Sequence, residues 1–349
     1  NRHKYGVDTA YWNYIGFYEI LDYLKENVPG FTYENCCGGG YYKDYATMSY
    51  TSNIFSTDTY RVIDARRTFY DTSFCHPACQ IAPQISFSDA NPAIWDSFAL
   101  RKQMTYGYIY RSVMLGAMYV NLDSPVYRMN REESAFLARQ IQIYKQWIRP
   151  LVVNAELYHT TDRPDNIHWD ATQYYDPATG KGILYVFRPD NDITSETFRL
   201  YGLDPDAFYY VRSEENKKTA RFSGTELMEN GITVSCDRIY WSDLLYIQRT
   251  DVPVDASNSA WENEMLPLEG GGTATDTSSE PETTDTDETV EPDYTPATQT
   301  TTPTGTDAGR HGCASTVGGS LMGSAAVAGV AALAACAAST KKRKSKRDR

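Results

Sequence analysis

Two aspartates stand where short apolar runs end: Asp8 closes residues 5–8, and Asp58 follows residues 53–56. If each run is a strand in an array of βα units, the C-terminal ends of the strands share one face and distant acids converge there. Two converging carboxylates suit glycoside hydrolysis, in which one attacks or stabilises an oxocarbenium-like carbon and the other protonates the leaving oxygen. An acid after a strand also serves as the N-cap of the next helix, and Asp58 ahead of Thr59-Tyr60-Arg61 fits that role. The run Asn35-Cys36-Cys37-Gly38-Gly39-Gly40 follows another apolar stretch. It lacks the Lys-Ser/Thr of a P-loop and the spaced glycines of a dinucleotide fingerprint. It reads as a tight turn, or as backbone free to approach a ligand closely. Cys75-His76-Pro77-Ala78-Cys79 has no second Cys/His pair to complete four ligands, so no metal and no other cofactor is expected. Its thiols read as buried or loop groups, with a Cys75–Cys79 pairing as the lesser alternative. There is no Gly-x-Ser-x-Gly elbow, and the five histidines show no triad logic.

The elements that would position these groups alternate between strand and helix over residues 1–160. Residues 5–8, 31–35 and 53–56 read as strands. Residues 14–27 carry Ile15, Tyr18, Leu21 and Leu24 at helical spacing and stop before Pro29-Gly30. Residues 58–70 have helical spacing again. Residues 132–147 form a strong helix with Phe136, Ile141, Ile143, Tyr144 and Trp147 among its apolar positions, closed by Pro150. After Trp169 the texture changes to short β-branched and aromatic runs at 182–188, 198–203, 208–211, 232–236 and 243–249. Turn signals at Asp190-Asn191, Asp204-Pro205 and Asn230-Gly231 separate them, which predicts an antiparallel sheet module. A linker-like break falls near Arg163-Pro164-Asp165.

Of 349 residues, 33 are Lys or Arg and 45 are Asp or Glu, a formal charge of −12 that argues against a nucleic-acid partner. With 41% hydrophobic and 13% aromatic residues, the chain can bury a sizeable core. Tyr dominates the aromatics; its flat face and hydroxyl suit sugar rings as well as half-buried packing. Seven cysteines in this length make no disulfide scaffold. Residues 270–309 hold nine acids and no base among Thr, Ser and Pro, which predicts an extended, disordered stalk. The run 312–339 is uncharged and is followed by KKRKSKRDR. It is long enough at ~1.5 Å per residue to cross a ~30 Å hydrocarbon layer. The basic run behind it fits a stop-transfer anchor with the tail inside and the globular part outside the cell. A disordered Ala-rich tail is the alternative. Opening at Asn1 with neither Met nor leader, the chain reads as the later part of a longer protein.

Several runs taken together resemble glycoside hydrolase family 36, the α-galactosidase (melibiase) family. The order Tyr5-Gly6-Val7-Asp8, PGFTYENCCGGGYYKDYATM and SNIFSTD is similar to its catalytic core. Downstream, QIYKQWIRPLVVNAELYHT resembles the last barrel helix and exit, and GILYVFRPDN, FRLYGLDPDAFYYV and FSGTELMENGITV resemble the C-terminal domain. The likeness covers roughly residues 5–250 in consistent order. It implies an α/β chain: a partial TIM-type (β/α)8 barrel with later strands only and a C-terminal antiparallel β-sandwich, to which the composition adds the disordered stalk and transmembrane helix. The implied bounds are 1–163, 164–255, 256–311 and 312–340, with a basic cytoplasmic tail at 341–349.

The resemblance further implies a retaining exo-α-glycosidase acting on terminal α-linked sugars. Asp8 falls on the nucleophile, Asp58 on the general acid/base, Phe55 and Thr57 on the aromatic and Ser positions ahead of it, and Asp44 on a downstream acid. Retention needs carboxyl groups ~5–5.5 Å apart, against ~6.5–9.5 Å for inversion. Trp12, Asn35, Cys36 and Gly39 are assigned to the sugar-facing wall; Trp12 also fits helix-face packing and Cys36 a buried small group. Gly6 stands where the family commonly has a basic residue, and Tyr41-Tyr42 where it has Arg after the glycines. These departures motivate the alternative of a catalytically degenerate, carbohydrate-binding surface protein. The expected partners are a carbohydrate and, through the anchor, a membrane; a homo-oligomer is compatible with either reading.

Overall fold

Parallel strands cannot be joined by a tight hairpin and need crossover segments between them. The first half of the chain is built that way. Its strands β1 (Glu34–Asn35), β2 (Asn53–Phe55) and β3 (Ile81–Ala82) form a parallel sheet in that order, with Asn35 opposite Ile54 and Ile54 opposite Ile81. The structure, a computed structural model, describes residues 8–36, 39, 43–119 and 129–260. The expected stalk beyond residue 260, the anchor at 312–340 and the basic tail lie outside the described residues. No helix among the described residues is long and apolar enough to cross a membrane.

Helix α1 (Asp8–Asn27) begins six residues ahead of the expected 14–27. The strand expected at 5–8 is therefore corrected at its last position: residues 5–7 lie outside the described residues, and Asp8 is the first helical residue. Nothing in the stretch from Asp8 to Asn13 breaks a helix, and an acid is favoured at a helix start. The helix ends before Gly30, whose φ of +74° suits the turn. Between β1 and β2 lies the short α2 (Tyr45–Met48), capped by the Asp44 carboxylate, which accepts from the Thr47 N–H and hydroxyl at 2.9 and 2.8 Å. Tyr18 of α1 reaches the same carboxylate, and its ring stacks on Tyr50 at 5.8 Å, so the inner face of α1 is held to α2.

Helix α3 (Val62–Ser73) follows β2 and packs Val62, Ala65 and Phe69 inward. It starts four residues later than the expected 58–70. After β3 come α4 (Phe98–Arg101), α5 (Tyr106–Arg111) and α6 (Arg131–Ile143). The helix expected to stop at Pro150 does not stop. A wider turn of π geometry, Tyr144–Ile148, leads into α7 (Arg149–Asn154), and Pro150 occupies its first turn. The wide turn just ahead of it is the kind of local adjustment by which a helix runs on through a proline, whose missing N–H would otherwise break the ladder.

The second half is antiparallel. Strands β4 (Glu156–His159), β5 (Asp170–Asp176), β6 (Lys181–Arg188), β8 (Phe208–Ser213), β9 (Thr219–Ser223) and β11 (Trp241–Thr250) make a six-stranded sheet in the order β4-β5-β6-β11-β8-β9. Strands β7 (Ser195–Phe198) and β10 (Ile232–Ser235) pair as a ribbon, and helix α8 (Gly224–Glu229) joins β9 to β10. Successive side chains point to opposite faces. Thus Ile183, Tyr185, Leu244 and Tyr246 pack toward the helices, while Leu184, Val186, Leu245 and Ile247 pack toward the ribbon and its Phe198, Ile232 and Val234. The strand expected at 198–203 lies instead at Ser195–Phe198, because its pairing with β10 needs only one buried edge and takes polar residues on the other.

One buried arginine ties the halves together. Arg66 of α3 donates to both Asp170 carboxylate oxygens of β5 at 2.9 and 3.2 Å, to Ser112 at 2.9 Å and to Tyr108 at 2.8 Å. Its guanidinium carbon also lies 4.5 Å from the ring centroids of Tyr108 and Phe187. With four charge-assisted hydrogen bonds the buried pair is well satisfied.

Candidate active site

In a parallel sheet all strands end on the same edge, so β1, β2 and β3 deliver the residues that follow them to one side. Asn35 is the last residue of β1 and is fully buried; Cys36 follows, half-buried. Asp58 lies three residues beyond the end of β2 and is exposed. It does not cap α3. The cap position is Arg61, and the Val62 N–H donates instead to the Asp96 carboxylate at 2.8 Å. Asp58 has no hydrogen bond or ion pair to any described residue, so its carboxyl is left for other work. The turn that carries it is braced on both sides: the Thr59 N–H donates to the Thr57 hydroxyl at 3.1 Å, and the two threonine hydroxyls are 2.9 Å apart.

Gly39 meets Asp58 directly. Its φ is +78°, and a Cβ added there would come within 3.0 Å of the Asp58 nitrogen, 3.2 Å of Cγ and 3.3 Å of Oδ2. A left-handed residue in van der Waals contact with a carboxylate leaves room for hydrogen alone. The structure therefore brings Gly39 and Asp58 together across the ends of two adjacent strands. Asp8 enters as the first residue of α1; its side chain lies outside the described part. Trp12 is in the second turn of α1, 55% exposed, with its ring edge-on to Tyr11 at 5.3 Å.

Lys43, not singled out by sequence, and His76, weighed there only as part of a metal-ligand cluster, complete this corner. The Lys43 ammonium donates to the Ser56 carbonyl at 3.0 Å, and the His76 imidazole is hydrogen-bonded to the Lys43 backbone. Partial burial lowers the Lys43 pKa, against a smaller opposing pull from Asp71. Burial, then the Lys43 charge, lowers that of His76. The available signal was that Lys43 is the first basic residue after the glycine run. Beyond Asp58, Tyr60 stacks on Trp95 with centroids 6.0 Å apart and planes 6° from parallel, a half-buried aromatic pair beside the acid.

Cys75 and Cys79 are free thiols, and no group of three or more His, Cys, Asp or Glu among the described residues is placed to hold a metal ion. A cleft of about 640 Å³ opens elsewhere, lined in part by Arg101, Tyr106, Glu133, Glu215 and Trp241. Two of its charges are paired, Arg101 with Glu133 and Glu215 with the buried Arg111 behind it. None of the residues discussed above for reaction chemistry lines it, so volume alone does not make it the reacting site.

Comparison with known proteins bears on both halves. The sequence model of the Melibiase family matches residues 2–155, and that of the glycosyl hydrolase family 36 C-terminal domain matches residues 169–247. Alpha-galactosidase Mel36A of Lactobacillus acidophilus is 27% identical over 225 residues, covering 64% of this chain and 29% of that protein. The family 36 alpha-galactosidase AgaB of Geobacillus stearothermophilus superposes with a TM-score of 0.59 at 19% identity, over 70% of this chain and 32% of that one. A variant of AgaA from the same organism, solved in complex with raffinose, gives a TM-score of 0.57 at 19% identity over the same shares. The structural likenesses show the fold. The chain spans under a third of the length of these relatives.

Proposed function

We propose that this chain, a member of glycoside hydrolase family 36, carries both carboxyl groups of an α-galactosidase-like active site acting on terminal α-linked sugars. The observation that carries the reading is the contact between Gly39 and Asp58 at the ends of neighbouring parallel strands, with Asp58 relieved of helix capping by Asp96. An exposed carboxyl on a turn braced by Thr57 and Thr59 supports that role. In the reaction, Asp8 as carboxylate attacks the anomeric carbon while Asp58 as acid gives its proton to the leaving oxygen. A covalent glycosyl-enzyme results. Asp58, now a carboxylate, removes a proton from water as the water attacks the same carbon, and Asp8 departs with net retention. The raffinose bound by AgaA and the activity named for Mel36A support a galactosyl group as the sugar transferred.

The test is release of nitrophenol from an aryl α-galactoside. Asp58→Asn is expected to lower turnover by about two to four decades, the usual contribution of a positioned general acid/base. A loss under about tenfold would remove Asp58 from this role, and saccharide binding without any release by the unaltered protein would favour a purely binding function. We also propose that residues 312–340 anchor the protein at the cell surface, on the strength of the uncharged run and the basic residues behind it. Extraction of the protein from membranes by alkaline carbonate would sink that placement.

A further inference from the structure

Asp58 lies past the end of its own strand: β2 and its pairing stop at Phe55, and the chain is next tied across the sheet at Tyr60, whose carbonyl accepts from the Ser86 N–H at 3.0 Å. The loop after β1 supplies what the ladder does not, at two points four residues apart. Gly39 packs on the Asp58 nitrogen and carboxyl, and the Lys43 ammonium takes the Ser56 carbonyl at 3.0 Å. Lys43 is itself held from behind by His76, which follows α3 and is buried. A half-buried ammonium loses hydration that a carboxylate would normally restore. Here its hydrogen bond goes to a main-chain oxygen two residues ahead of the candidate acid. Its bond therefore restrains backbone direction.

We propose that Lys43 is a positioning residue for Asp58: by fixing the Ser56 carbonyl it sets the direction in which the chain leaves β2 and so where the carboxyl lies. This rests on the reading of Asp58 as the acid/base. Misplacing a reacting group by about an ångström costs on the order of a hundredfold in rate without a matching loss of binding.

The experiment compares Lys43→Met and Lys43→Arg in the full chain by two readouts. On an aryl α-galactoside, Lys43→Met is expected to lower kcat about 30- to 100-fold with KM within about threefold, and Lys43→Arg to recover most of it. A purely structural lysine would instead lower the active fraction in step with thermal stability, with no rescue specific to a donor. The second readout needs no turnover. In 15N spectra the amide signals of Thr57, Asp58 and Thr59 should move in Lys43→Met and return toward their original positions in Lys43→Arg. A kcat within threefold of the unaltered protein, or unmoved amide signals, overturns the proposal. If the unaltered chain shows no turnover, the glycosidase reading fails while the amide signals still decide whether Lys43 sets the turn.

Discussion

The parallel strands β1, β2 and β3 are two, three and two residues long, whereas β6 and β11 run for eight and ten. The long strands are buried on both faces and register with each other over eight residue pairs. That half is stabilised by area and by a continuous hydrogen-bond ladder. The short strands support only a few pairs, and the residues with chemistry follow their ends. Each of those residues is fixed by a device from outside its own strand: Gly39 by close approach, the start of α3 by Asp96, the Ser56 carbonyl by Lys43. The contrast teaches that the reactive corner is held by scattered single interactions on a scaffold whose stability resides elsewhere. Arg66 on Asp170 and Arg111 on the Ser242 carbonyl are two buried links between them.

The severest test of that division is therefore Arg66→Ala. It removes one partner of a fully buried pair and strands the Asp170 carboxylate, for which a loss of about 3–5 kcal/mol is expected in urea denaturation. Against a typical total of about 5–15 kcal/mol, this is a large fraction. If the halves are coupled mainly here, the variant should also unfold in two steps, the parallel part first. A single transition displaced by less than about 1 kcal/mol would show that the shared apolar core, and not this pair, does the joining. Next in size is Gly39→Ala. Forcing a Cβ into the left-handed region costs about 1–2 kcal/mol, and the added atom would press on Asp58 at 3.0 Å. Turnover should fall about ten- to a hundredfold while the unfolding of the antiparallel half, followed by hydrogen exchange of β6 and β11, stays in place. Equal loosening of both halves would break the comparison.

The same asymmetry decided what could be read from sequence. The runs 182–188 and 243–249 are legible because strands buried on both faces are unbroken apolar sequences, and they appear as Lys181–Arg188 and Trp241–Thr250. Strand β5 is hidden because DATQYYD looks polar. Asp170 is matched by Arg66, and Gln173 exchanges hydrogen bonds with the Tyr201 backbone at 2.8 and 2.9 Å, partners 104 and 28 residues away. Helix limits failed where a distant group intervened. Asp96, 34 residues on, supplies the cap that local reading offered to Asp58, and the wide turn at Tyr144–Ile148 carries the chain past Pro150. The glycine run and Asp58 were visible as motifs. Lys43 was not, because a single lysine has no pattern until its carbonyl partner is seen.

A smaller effect probes the seam between the halves. His159 of β4 packs against Tyr70 and Phe74 of the first half, with its Nε2 2.9 Å from the Ser73 hydroxyl. That hydroxyl donates to the Tyr70 carbonyl at 2.8 Å, so Nε2–H is the donor to Ser73 and Nδ1 is left as a buried acceptor with no partner among the described residues. Protonation would bury an N–H with nowhere to point, and burial lowers the pKa below 6.5. The unfolded chain then binds the proton more readily than the folded one. The stability contribution is present above about pH 6.5 and is lost as pH falls below it. His159→Phe keeps the ring stack and removes the titration. Its stability relative to the unaltered protein should rise as pH falls from 7 to 5. A difference that is flat with pH would show that the seam is open to water.

The smallest stability effect belongs to α1, and it separates two roles for one ring. Trp12, Ile20 and Tyr23 lie along one helical stripe and are 55%, 60% and 64% exposed; a Cβ added at Gly16, between the first two, would meet nothing. A side chain that packs on so little contributes little, so Trp12→Ser should change unfolding free energy by less than about 0.5 kcal/mol. Its effect on substrate is a separate matter. If a sugar face lies on the indole with about the 0.5–1.5 kcal/mol of an aromatic ring pair, Trp12→Ser raises KM roughly two- to tenfold with kcat unchanged. Lys43→Met is expected to do the reverse, lowering kcat and sparing KM. If Trp12→Ser leaves both constants untouched, Trp12 belongs with Ile20 and Tyr23 as apolar surface facing away from the sugar, and the wall of the site must be sought among residues such as Tyr60 and Trp95.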